Sequence, residues 1–107
     1  MRNDPAYLAS LGELATLKNA IGAWFHQDAY LDFASDEDVW DDMFAGHDSE
    51  ARQLLMAQIA ALLQRSDDAI VGLWNSQAHS HTFASGAEAR HFFGSMLEYF
   101  YGRGHVA

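Results

Sequence analysis

Four times along this chain a Ser or Asp stands just ahead of a run in which apolar residues recur at three- and four-residue spacings: at Ser35, at Asp48 or Ser49, at Ser66 and at Ser85. A side-chain oxygen in that place accepts a backbone N–H of the first helical turn, and the spacing that follows is the period of a helix buried along one stripe. The pattern commits most of the chain to α structure. Ser35 with Asp38, and Ser85 with Glu88, have the form of capping boxes, Asp38 standing where Glu or Gln is usual.

Ahead of these, Leu14, Leu17, Ile21, Trp24 and Phe25 form a stripe that predicts a helix to about Gln27, and Asp4 with Pro5 gives an earlier start signal that Gly12 breaks. At about 100° per residue His26 falls away from the stripe, whereas Asp28 would fall on it if the helix continued. A bare carboxylate does not belong on a core stripe. Either the helix ends near Asp28, or Asp28 is half-buried and held by backbone N–H groups or by Arg52 or Arg65. His26 and Asp28 are expected to be structural, and Asp28→Ala is expected to cost about 1–3 kcal/mol for the buried donors left unmatched.

Ala29 to Ala34 reads as a connection whose Tyr30, Leu31 and Phe33 need cover, packed across the first helix. The helix opened by Ser35 carries Val39, Trp40, Met43 and Phe44 on one side and Glu37, Asp38, Asp41 and Asp42 on the other, and Gly46 ends it. The next runs to about Arg65 and buries Leu55, Ile59 and Leu62 between Ala51 and Leu63, with Gln58 at the margin where its amide reaches a partner. Ser66 opens a short helix, weakened by Gly72, with Ile70, Leu73 and Trp74 inward. Residues 75–84 read as loop or brief extended chain. The last helix has Ala89, Phe92, Phe93, Met96, Leu97 and Phe100 as its stripe and Gly102 and Gly104 as its stop.

The expected architecture is therefore all-α, a compact, monomeric, single-domain bundle of about five helices over residues 1–107. Its core is expected to include Leu17, Ile21, Trp24, Trp40, Leu55, Ile59, Leu62, Trp74, Phe93 and Leu97. Half of the residues are hydrophobic, enough for one core and too many for a disordered chain.

Composition narrows the function. Fifteen acids against six bases leave a formal charge of −9, which argues against direct nucleic-acid binding and for a basic partner. The absence of cysteine excludes disulfides, thiolate metal sites and cysteine nucleophiles, and makes the cytoplasm the default location. The first residues lack the continuous apolar run of a signal peptide, and no stretch approaches the roughly 20 apolar residues of a membrane span.

Few groups invite chemistry. His79, His81 and His91 offer a partial nitrogen shell, but without a helical i, i+4 pair, an HExxH motif or a thiolate, loop histidines are the better reading and no metal is expected. The acids lack the alternation and central Gly of a calcium loop. No Gly-rich phosphate loop or nucleophile elbow is present, and His26 and Asp28, two apart, do not face each other on a helix. No catalytic residue and no cofactor are expected. The acids themselves are distinctive: nine stand between Asp28 and Glu50 with no Lys or Arg among them, where an ordinary solvated surface intersperses both signs.

The segment GAWFHQDAYLDF, Gly22 to Phe33, resembles the G-[AY]-[YW]-F-H-Q-D segment near the start of the CdiI family of contact-dependent growth inhibition (CDI) immunity proteins. The later elements resemble that family in order: an acidic short helix, a helix with an E-I-x-x-L-L run, a Ser-Asp helix start and an aromatic last helix. Gln58, Ile59, Leu62 and Leu63 match the third-helix run with Gln in place of Glu, and Ala29 stands where an aromatic usually follows the Asp. Phe25, His26, Gln27 and Asp28 carry the resemblance and are expected to be structural.

The resemblance implies a protein that binds and neutralises the C-terminal toxin domain of a delivered effector, often a nuclease, in the producing cell's cytoplasm. Tyr30, Asp32, Phe33, Glu37, Asp38, Asp41 and Asp42 are the residues expected to meet the toxin, by occluding its active site or substrate groove in a heterodimer. An acidic helical adaptor that binds some other basic protein is one alternative, and a small hydrolase or metal-dependent enzyme using His26, Asp28 and the loop histidines is the other.

Overall fold

The computed structural model describes residues 14–106. Among the described residues six helices follow one another: α1 (Ala15–Trp24), α2 (Ala29–Asp32), α3 (Asp36–Ala45), α4 (Ser49–Leu63), α5 (Asp67–Gln77) and α6 (Gly86–Val106). The described residues contain no strand, and the fold is the all-α single domain that the periodicity predicts. The start signal at Asp4–Pro5 and its break at Gly12 lie outside the described residues.

The four caps predicted at Ser35, Asp48, Ser66 and Ser85 form. Ser35 Oγ accepts the Asp38 N–H at 3.3 Å, Asp48 Oδ1 that of Ala51 at 2.8 Å, Ser66 Oγ that of Ala69 at 3.2 Å and Ser85 Oγ that of Glu88 at 3.2 Å. α1 has no such side chain of its own, because Leu14 precedes it. Its first turn is instead completed from across the bundle, where Gln58 Oε1 on α4 accepts the Leu17 N–H at 2.9 Å.

Four boundaries differ from the sequence reading. α1 stops at Trp24, since Phe25 turns out of the helix (φ −99°, ψ 53°) and its carbonyl accepts the N–H groups of His79 (2.8 Å) and Ser80 (3.0 Å). Within the expected connection, Ala29–Asp32 make one helical turn, α2. α5 runs for eleven residues in spite of Gly72. α6 continues through Gly102 and Gly104, whose propensity penalty of about 1 kcal/mol each is too small to stop a helix by itself.

α6 packs against α3, α4 and α5, and α1 lies against α3, α4 and α5. Trp74 is the centre of the aromatic core, fully buried with ring centroids of Phe25 at 4.8 Å, Phe92 at 4.9 Å and Phe93 at 5.7 Å. Of the expected core, Trp24 and Leu97 are only partly buried and the others are buried. Trp24 stays at the edge because its Nε1 donates to Asp42 Oδ2 at 2.8 Å, which draws the indole across the end of α3. Gly46 makes room for it: a Cβ there would come within 2.6 Å of the ring. Gly46 itself is right-handed (φ −78°), so ring clearance, not a left-handed cap, requires glycine at this helix end.

Arg90 of α6 ties the far end of α4. Its guanidinium donates to the carbonyls of Leu63 (2.6 Å) and Arg65 (2.8 Å), the unpaired end of that helix, and to Asp67 Oδ1 (2.8 Å) at the start of α5.

Candidate partner-binding surface

The segment from Phe25 to Asp28 forms the turn between α1 and α2. The Phe25 ring is fully buried against Trp74 and Phe92, and its carbonyl holds the loop after α5. His26 Nδ1 accepts the Asp28 N–H at 3.1 Å, so the neutral ring carries its proton on Nε2, which faces Asp32 Oδ2 at 3.6 Å. Gln27 and Asp28 are exposed. Asp28 is thus not half-buried, and its carboxylate makes no capping bond to α2. Arg52 is turned elsewhere, donating to the Phe44 carbonyl at 2.7 Å and lying 4.3 Å over the Phe44 ring. The reason is the early end of α1: with helical rotation stopped at Trp24, Asp28 never reaches the core stripe.

α2 lifts its residues outward rather than across α1. Leu31 is 84% exposed and Tyr30 is 42% exposed, while Phe33 is partly buried against the core. The Tyr30 hydroxyl donates to Asp36 Oδ1 at 2.6 Å, and burial first, with this bond second, pushes the phenol well above its ordinary value. His81 stacks 5.7 Å from Tyr30 and 5.2 Å from Trp74; burial lowers its pKa, an effect that Asp36 partly opposes.

The acids of α3 divide by what they touch. Glu37 and Asp38 are exposed in its first turn. Asp42 is also exposed but is held by Trp24, and Asp41 is half-buried. The expected face therefore exists as a surface, yet Asp42 and Asp32 have partners within the chain, and Phe33 belongs more to the core than to the surface.

Beside this face, α3 and the start of α6 leave an open cleft of about 330 Å³. Asp36, Glu37 and Glu88 contribute its carboxylates, and Trp40, Phe83 and Phe92 its aromatic walls. Leu31, which the sequence reading places under cover, and Glu88, which it reads as a cap, are the residues missing from the expected surface. The signal for Leu31 was its place between two partly exposed neighbours in a segment too short to bury every side. Glu88 reads only as a capping acid, and its proximity to Asp36 is purely tertiary.

The histidines are scattered: His79 and His91 are exposed, whereas His81 lies in the aromatic cluster. No group of three or more His, Asp or Glu among the described residues is arranged to hold a metal ion. No helix among them is long and apolar enough to cross a membrane.

The family model described as CdiI immunity protein matches residues 13–98, which span α1 to most of α6. The chain belongs to the CdiI immunity protein family. It is accordingly an immunity protein directed against a CDI toxin. No match was found among curated proteins or among solved structures. In this CdiI protein the Phe25–Asp28 segment turns the chain between helices, and Gln58, where the resemblance calls for Glu, keeps a carbonyl oxygen on the first turn of α1.

Proposed function

We propose that this CdiI protein neutralises a nuclease toxin domain by covering its substrate groove with the surface formed by α2 and the outward side of α3. The observation that carries this reading is the placement of Glu37 and Asp38, exposed and adjacent in the first turn of α3, on a stretch that contains no Lys or Arg. A domain that cleaves nucleic acid must present a basic groove to phosphates, and an acidic helix is complementary to that groove in charge. Leu31 and Tyr30 supply apolar area beside the acids, which suits them to anchor the complex once electrostatic attraction has formed it. The complex is a heterodimer formed in the cytoplasm, and the same negative field keeps the free immunity protein off nucleic acid.

The experiment is to co-express the chain with the C-terminal domain of the effector encoded beside it, purify the pair and assay nucleic-acid cleavage. A one-to-one complex without cleavage activity, in which the toxin no longer binds oligonucleotide, supports groove occlusion. A complex in which the toxin still binds oligonucleotide but does not cleave it places inhibition away from the groove.

A further inference from the structure

The cleft between α3 and α6 combines features that an acidic surface alone does not. Asp36, Glu37 and Glu88 bring three carboxylates to one opening, and its lining contains no Lys or Arg, His91 being the one basic residue there. Its walls are the rings of Trp40, Phe83 and Phe92, with Trp40 and Phe92 packed edge to face at 5.4 Å. Asp36 already accepts the Tyr30 hydroxyl through Oδ1, which fixes its carboxylate at the rim. Trp40 is only 5% exposed, and its Nε1 has no hydrogen-bond partner among the described residues. A buried donor without an acceptor within the chain is rare, and a water or an oxygen of a partner can supply one.

We propose that this cleft receives an arginine side chain of the toxin. The choice of arginine over lysine follows from the walls: a planar guanidinium stacks on aromatic faces and forks between carboxylates, whereas an ammonium is a compact, strongly hydrated point charge. An arginine carried on a peptide segment also brings backbone carbonyls, the acceptor type that the Trp40 indole lacks. The inference rests on the immunity reading for the identity of the partner, but the chemistry of the cleft is testable without the toxin.

The first measurement is a titration of the isotope-labelled protein with N-acetyl-arginine-amide, followed through the indole N–H resonances of Trp24, Trp40 and Trp74, which Trp40→Phe assigns. The Trp40 resonance should shift with the arginine derivative and not with the neutral citrulline analogue, and Glu37→Gln combined with Glu88→Gln should abolish the shift. An equal response to citrulline, or none to arginine, overturns the cleft as a guanidinium site.

The second measurement is toxin affinity of the same double variant, which should fall by at least about tenfold as two charge-assisted contacts are lost. Unchanged toxin affinity in a variant that no longer responds to arginine would show that the toxin docks elsewhere, and would overturn the inference while leaving the immunity reading intact. Failure of the wild-type chain to bind the toxin would count against that reading and leave the arginine titration to stand by itself.

Discussion

Gln58 Oε1 on α4 accepts the backbone N–H of Leu17 on α1 at 2.9 Å, across 41 residues of sequence. One helix thereby caps another, and the bond explains how Gln replaces Glu here: the donor needs an oxygen, and an amide supplies one as a carboxylate does. Gln58→Leu leaves a part-buried N–H unmatched and is expected to lower stability by about 1–3 kcal/mol in denaturant titration. Gln58→Glu keeps the acceptor, adds negative charge at a helix N-terminus and should be neutral or slightly stabilising. A Glu variant as damaged as the Leu variant would mean that the amide NH₂, not its oxygen, makes the important contact.

Phe25 and Asp28 are neighbours in the family segment but differ sharply in what they support. Phe25 is fully buried against Trp74, so Phe25→Ala should cost about 3–5 kcal/mol. Asp28 is exposed and its carboxylate caps nothing, so Asp28→Ala should change stability by no more than about 0.5 kcal/mol. Thermal melts of the two variants separate these outcomes. A large loss in Asp28→Ala that leaves toxin binding unaltered would restore the buried-carboxylate view.

The contrast between these two residues shows what is legible in a sequence of this kind. The four caps at Ser35, Asp48, Ser66 and Ser85 act within one turn of chain, so local pattern reveals them, and the helical stripes follow because one period governs each. Gln58 is legible as a marginal polar residue in need of a partner, though not which partner. The end of α1 is hidden because it depends on His79 and Ser80 reaching back to the Phe25 carbonyl, and the misplacement of Asp28 follows from that single tertiary contact. Likewise the acids of α3 are visible as a face, but that Asp42 is held by Trp24 while Glu37 and Asp38 are not is settled by packing of α1 on α3.

His81 gives the fold a pH dependence. In the unfolded chain an imidazole takes up its proton near the ordinary value of 6.5, whereas burial against Trp74 and Phe83 lowers that value in the fold, Asp36 partly opposing. As pH falls through the ordinary value the unfolded state binds more protons than the native state, so this contribution to stability, full above it, declines. His81→Phe retains a ring and cannot titrate. Between about pH 7.5 and pH 5 its unfolding free energy should therefore fall less than that of the wild type. Equal slopes in the two proteins would show that the ring titrates alike in both states.

Charge reversal can separate steering from structure if the acids are chosen by their contacts. Asp42→Lys removes the acceptor of the Trp24 indole and should lower the melting temperature as well as any binding, so it reports on the join between α1 and α3. Glu37→Lys with Asp38→Lys alters two exposed carboxylates, so the fold should hold with a modest loss at the helix N-terminus. If the face attracts a basic toxin from a distance, the Glu37/Asp38 variant should associate about tenfold more slowly at low ionic strength, and the difference should shrink as salt screens the field. Dissociation should instead follow Leu31, 84% exposed at the crest of α2, so Leu31→Ala should shorten the lifetime of the complex while leaving its rate of formation nearly unchanged. Stopped-flow association and surface-based dissociation measurements resolve the two rates. A Glu37/Asp38 variant that associates as fast as wild type at low salt would remove steering from the mechanism, and a Leu31→Ala complex of undiminished lifetime would move the apolar anchor away from α2.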